Sequence, residues 1–185
     1  LDPTGLKEID VAKRMVTAID GSNNAKRAVE AAAELAKDLK AELYLVHAVG
    51  SGPIPSALAH MAEIEHITAE QRLPGPQNVA NVFGNLATAE RAATSPAVAQ
   101  EIHRALGQRL LKDAAARARE IGAGSVQIML CEGKAAEAIL KTAKQVDADL
   151  IVLGTRGLSE FKELLLGSVS HKVIQLSPCP CLVVK

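Results

Sequence analysis

Gly154, Gly157, Gly167 and Ser168 are spaced so that backbone, rather than side chains, can do chemistry. Gly154-Thr155-Arg156-Gly157 follows directly on the apolar run Leu150-Ile151-Val152-Leu153, and Gly167-Ser168 comes after nine further residues. A strand that ends in two close glycines lets another group reach its backbone, because glycine has no Cβ in the way. Gly167-Ser168 opens the run Val169-Ser170-His171-Lys172-Val173-Ile174. If that run is helical, its first N–H groups are bare donors at a helix N-terminus, where anions are favoured. The chemistry implied is a phosphate cradle of amides and hydroxyls, and nucleotide binding is the leading function. Asp20, in Asp20-Gly21-Ser22, adds a carboxylate suited to a ribose hydroxyl or a divalent metal ion such as Mg²⁺.

These residues are useful only if strands and helices bring them to one edge. Residues 13–20 read as a first strand, with Met15, Val16 and Ile19 supplying β-propensity. Ser22 or Asn23 can cap the helix that follows, in which Ala28, Val29, Ala32, Leu35, Ala36 and Leu39 keep helical spacing. Residues 42–49 form a second strand whose run Leu43-Tyr44-Leu45-Val46 is nearly continuous in apolar character. Such runs belong to sheets covered on both faces, usually parallel ones. Further on, Ser95 and Pro96 open a long helix to about Ile121, residues 125–130 are a third strand, and a helix runs from Ala135 to about Val146. The fourth strand is 150–153, the last helix 169–176 and the closing strand 181–184. This alternation specifies a doubly wound α/β domain with a five-stranded parallel sheet, one domain over residues 1–185. In such sheets ligands sit beyond the carboxyl ends of the strands, where the strand order reverses. Asp20 and Gly154 both fall on that rim.

Residues 50–95 interrupt the rhythm. Prolines at 53, 55, 74 and 76 divide the stretch into two candidate helical pieces, 57–72 and 78–93, the second carrying a stripe of Val79, Val82, Phe83 and Leu86. A bare loop of this length is improbable in a compact domain, so a helical insertion after the second strand is expected. It leaves from the same rim as the glycines. A lid, a dimerisation element, an arm for a protein partner and a plain extension of the core are all open.

Composition narrows the function classes. Twenty-one basic residues balance 21 acidic ones, which removes the electrostatic drive toward nucleic acid or an anionic membrane. Aromatics are 2% of the chain, too few for the stacking platforms of single-strand binders. Three cysteines cannot make a disulfide framework and fit a reducing compartment. No apolar run has the length of a membrane span and no secretory pattern opens the sequence, so a cytoplasmic location is expected. Competing nucleotide motifs are missing: Gly133-Lys134 is followed by Ala135-Ala136, and there is no Gly-x-Gly-x2-Gly. Plainer readings stand beside the sharp ones. Gly154 and Gly157 can be turn glycines, Ser168 can simply cap the last helix, and Asp20 can be turn chemistry with Gly21. His47 is read as structural, His103 and His171 lack obvious partners, and His60 and His66 do not share a helical face. Cys179-Pro180-Cys181 lacks the further ligands a zinc site needs.

The chain resembles the universal stress proteins, whose nucleotide-binding members carry Gly-x2-Gly-x9-Gly-Ser/Thr after the fourth strand. Gly154, Gly157 and Gly167-Ser168 match that spacing, as do the opening Asp20-Gly21-Ser22 and the terminal Pro178-Cys179-Pro180-Cys181-Leu182-Val183-Val184. The likeness covers residues 13–49 and 96–185 and leaves the middle insertion unmatched. The resemblance implies ATP or AMP as ligand, with Asp20 near the ribose and any divalent metal. It implies phosphate contacts from Gly154, Arg156, Gly157, Gly167, Ser168 and Val169, with Ser170 assisting. It places Ala18 and Ala48 beside the adenine, where relatives carry a small or proline residue and an aliphatic one respectively; alanines bury less surface than larger aliphatic groups. It also implies a homodimer through the last strand, Cys181 to Val184. The expected role is a nucleotide-responsive regulatory or stress-response module. A slow ATPase or phosphotransferase is the enzymatic alternative, weakened by the lack of an evident base to orient water. A nucleotide-free interaction scaffold is the third.

Overall fold

Where the sequence first turns apolar and β-branched, the chain enters the sheet. β1 (Arg14–Ala18) buries Met15, Val16 and Thr17 completely. These and the elements below come from a computed structural model, which describes residues 12–50, 96–157 and 166–185. Ser22 caps α1 (Asn23–Leu39): its side-chain oxygen accepts the Ala25 N–H at 3.2 Å. α1 packs through small residues, Ala25, Ala28, Val29, Ala32, Ala33 and Ala36, which let its backbone lie close on the sheet. It stops at Lys40, whose left-handed φ of 52° turns the N–H back to the Ala36 and Lys37 carbonyls. β2 (Glu42–Val49) follows.

Pro96 is the first residue of α2 (Pro96–Ile121), where its missing N–H costs no helical bond. Gly122, at φ +115°, ends that helix and leads into β3 (Ser125–Glu132). Then come α3 (Ala135–Gln145), β4 (Leu150–Gly154), α4 (Ser168–Leu176) and β5 (Cys181–Val184).

The sheet order is β3-β2-β1-β4-β5 with every neighbouring pair parallel. Alternate residues of each strand feed two cores. Met15, Leu43, Leu45 and Val152 pack with α1 and α2 on one face. Val16, Val46, Ile151 and Leu153 pack with α3 and Val173 of α4 on the other. This is the expected five-stranded α/β sheet. β1 pairs β4 through Met15↔Leu150, Val16↔Ile151 and Thr17↔Val152, so the strand order reverses between them and their carboxyl ends lie side by side.

Differences from the expected boundaries are small and have local causes. The first strand stops at Ala18 rather than Asp20; Ile19 still donates its N–H to Val46 O at 2.8 Å, and the chain leaves the ladder there. The third strand runs on to Glu132 because β2 continues to pair it, through Ala48↔Cys131 and Val49↔Glu132. At the opposite edge Asp149 accepts the Lys13 and Arg14 amides at 2.8 and 2.9 Å, clamping β4 to the start of β1. The expected helical insertion at 50–95, His60, His66 and the capping role of Ser95 lie outside the described residues beyond Gly50.

Candidate nucleotide site at the switch point

Three chain segments meet over the carboxyl ends of β1 and β4. The first is the turn Asp20-Gly21-Ser22. Gly21 takes φ +88°, a left-handed conformation that glycine adopts without strain. Its neighbour Ser22 donates its N–H to Asp20 Oδ1 at 2.9 Å, so the carboxylate is folded back over the turn. The second segment is the β4 exit. Gly154 remains in the sheet opposite Val184, Thr155 is buried with its N–H on Val184 O at 2.9 Å, and Arg156 and Gly157 emerge toward solvent. The third is the start of α4.

Hydrogen bonds tie these segments into one frame. Gly167 donates its N–H to Thr155 O at 2.7 Å. Ser170, buried in the first turn of α4, donates its hydroxyl to Gly154 O at 2.8 Å. Across the switch point Ser22 Oγ lies 3.4 Å from Arg156 O, a long contact that adds to the Ser22 cap rather than dominating it.

The three glycines are bare for different reasons. A Cβ on Gly154 would come within 2.8 Å of the Asn24 backbone carbon and 2.9 Å of its oxygen, so the first turn of α1 fills that space. A Cβ on Gly157 would land on Asp20 Oδ2. The carboxylate and the motif's second glycine are therefore in direct apposition. At Gly167 the nearest atoms to a Cβ are Arg156 Cα at 3.4 Å and Thr155 O at 3.5 Å, ordinary contact distances. Gly167 is also the N-cap of α4 and offers no side-chain acceptor, and Ser168 is the first helical residue. The plainer reading of Ser168 as a helix cap does not hold, since the cap position falls to a glycine without a side chain. Ser168 and Val169 are exposed, with the first-turn amides of α4 left for an external acceptor.

The remaining candidates lie on the sheet itself. Ala18 closes β1 and Ala48 stands near the end of β2, both half-buried. Ala48 pairs with Cys131, whose Sγ lies 3.8 Å from Thr142 Oγ1 of α3. His47 and His103 are both buried near this rim. His47 Nδ1 is 2.7 Å from Ile19 O, and burial among apolar neighbours holds its imidazole below the ordinary histidine range, opposed by the Ile19 hydrogen bond and the Asp20 charge. His103 sits close to Gly50 and acts on His47 as a second imidazole. Among the described residues no group of three or more His, Cys, Asp or Glu could hold a metal ion. Cys131, Cys179 and Cys181 are free thiols, and burial raises the Cys179 pKa. Sequence reasoning missed the links made by Thr155, Ser170 and His47, because each joins residues remote in the chain.

The fold defines a doubly wound α/β protein whose strand order reverses between β1 and β4. The Universal stress protein family matches residues 12–185, and the chain belongs to that family. A curated relative, universal stress protein YxiE of Bacillus subtilis (strain 168), is 35% identical over 172 residues, covering 93% of this chain and 98% of its own. Among solved structures, universal stress protein UspA from Lactobacillus plantarum superposes with a TM-score of 0.64 at 18% identity, over 94% of this chain and 97% of its own. A universal stress protein crystallised in complex with cAMP superposes with a TM-score of 0.59 at 24% identity, over 94% and 97%. At these identities the two structures speak for the fold alone. No helix among the described residues is long and apolar enough to cross a membrane.

Proposed function

We propose that this protein binds an adenine nucleotide, ATP or AMP, at the switch point and acts as a nucleotide-responsive regulatory module. The observation that carries the reading is the convergence of the Asp20 carboxylate, the bare Cα of Gly157 and the side-chain-free N-cap of α4 on one rim. Phosphate oxygens take the amides of Gly157, Ser168 and Val169, with the helix N-terminus favouring their charge, while Gly167, whose own N–H is held by Thr155 O, leaves the approach open. Arg156 supplies a cation at the edge of the cradle. Ser170 helps from behind, since its hydroxyl already holds Gly154 O. Gly154 shapes the loop from the same position. Asp20 stands too close to this cradle to face phosphate oxygens directly, so it takes a ribose hydroxyl or a Mg²⁺ ion carried by the nucleotide. Ala18 and Ala48 flank the base. A protein of the same fold was crystallised in complex with cAMP, an adenine nucleotide.

The test uses freshly purified protein, denatured, with the supernatant run by ion exchange. Co-purified ATP or AMP is expected, and Mg-ATP added to nucleotide-stripped protein should raise its melting temperature. No retained nucleotide together with no thermal shift would return the protein to the scaffold reading. Retained ADP would call for a turnover assay, with hydrolysis expected to be slow at most.

The same reading includes a homodimer through β5. Among the described residues that strand lies at the sheet edge, paired with β4 on one side, and its Leu182 is 38% exposed. Edges of this kind are normally covered. Leu182→Lys is expected to convert a dimer to a monomer in sedimentation equilibrium. A monomeric wild type at micromolar concentration would remove the proposal.

A further inference from the structure

We propose that His47 is a positioning residue for Asp20, holding the peptide that precedes the carboxylate; this rests on the nucleotide reading above. Ile19 has left the β1–β2 ladder, yet both of its backbone groups are pinned by consecutive residues of β2. Its N–H donates to Val46 O at 2.8 Å, and its carbonyl accepts from His47 Nδ1 at 2.7 Å. The Ile19 carbonyl belongs to the peptide plane that also carries the Asp20 N–H, so fixing one orients the other. The Asp20 side chain then starts from a set direction, with Oδ1 on Ser22 N–H and Oδ2 against Gly157.

The imidazole is itself held. His47 is 7% exposed on the face of β2 covered by α2. A Cβ on Gly107 of α2 would lie 2.5 Å from His47 Cδ2, 2.9 Å from its Nε2 and 2.8 Å from Leu130 Cδ1. A glycine in a helix interior costs stability relative to alanine, and here the ring occupies the room it leaves. Because a carbonyl can only accept, Nδ1 carries the proton in the neutral ring and Nε2 is bare. The chain Gly107–His47–Ile19–Asp20 thus runs from the α2 core to the rim, and none of its first three members needs to touch ligand.

The experiment compares His47→Leu, His47→Asn and Leu45→Val, the last a core change on the same face of the same strand. Asn places an N–H near the Nδ1 position; Leu has none and leaves the Ile19 carbonyl without its donor. Each variant is characterised by melting temperature, by Mg-ATP affinity from calorimetry and by hydrogen exchange at the Ser22 amide. His47→Leu is expected to lose at least about tenfold in affinity and to speed Ser22 exchange. His47→Asn recovers most of both, and Leu45→Val holds affinity within about twofold despite a lower melting temperature. Wild-type affinity and exchange in folded His47→Leu would overturn the proposal, as would equal affinity losses in His47→Leu and Leu45→Val. If His47→Leu fails to fold, Gly107→Ala, which pushes the ring from its seat, is read in its place with the same expectations. A wild type that binds no nucleotide would sink the nucleotide reading; Ser22 exchange would then decide the positioning role alone, faster exchange supporting it and unchanged exchange overturning it.

Discussion

Gly157→Val is expected to abolish detectable nucleotide binding while leaving the fold nearly as stable as the wild type. The new Cβ would fall on Asp20 Oδ2, so either the carboxylate swings off its Ser22 N–H contact or the loop moves away from the rim. Both outcomes damage the same two functions, the approach of phosphate to the Gly157 backbone and the presentation of Asp20. A loss of about 100-fold or more in affinity corresponds to roughly 2.7 kcal/mol of binding free energy. Stability should move little, by about 0.5 kcal/mol, because Gly157 is exposed and lies beyond the strand. Gly157→Ala should show a graded version of the same loss. Calorimetric titration with Mg-ATP, paired with thermal melting, reads both quantities. Undiminished affinity in Gly157→Val would mean that the cradle is elsewhere.

Gly154→Val should do the opposite and strike the fold first. Here the added Cβ would meet the Asn24 backbone at 2.8–2.9 Å, and backbone at a helix start cannot yield as the end of a flexible side chain can. The strand also cannot retreat, since Gly154 pairs Val184 and its carbonyl takes the Ser170 hydroxyl. Overpacking at such a junction costs about 1–3 kcal/mol, and the upper end is expected for the branched side chain. Urea denaturation gives the figure directly, and Gly154→Ala should sit lower on the same scale. A Gly154→Val protein as stable as the wild type would show that α1 is not seated against β4 in this way. The two glycines of one four-residue motif are thus separated by experiment: one answers in binding, the other in stability.

That separation bears on what a reader of the chain could know. The strands were legible because buried parallel strands are written as short apolar runs, such as Leu43-Tyr44-Leu45-Val46 and Leu150-Ile151-Val152-Leu153. The helices were legible through periodic alanines and through local stop signals such as Gly122. Boundaries slipped by a residue or two where a neighbouring strand, rather than the segment itself, decided how far pairing ran. Ile19 and Glu132 are the cases.

Local patterns by themselves determined the element order, the α/β class, a cap for α1 at Ser22 or Asn23 and the residues that form the rim, since each of these depends on contacts within a few positions along the chain. Only the tertiary structure decided which task each rim residue has. Gly154 is small because α1 presses on it, Gly157 because Asp20 does, and Gly167 takes the cap position that the plainer reading gave to Ser168. His47 reaches back 28 positions to Ile19, and Ser170 closes 16 positions to Gly154. Contacts of that range are set by how the sheet orders its strands and how closely helices settle on it, and neither quantity is written in any local run of residues.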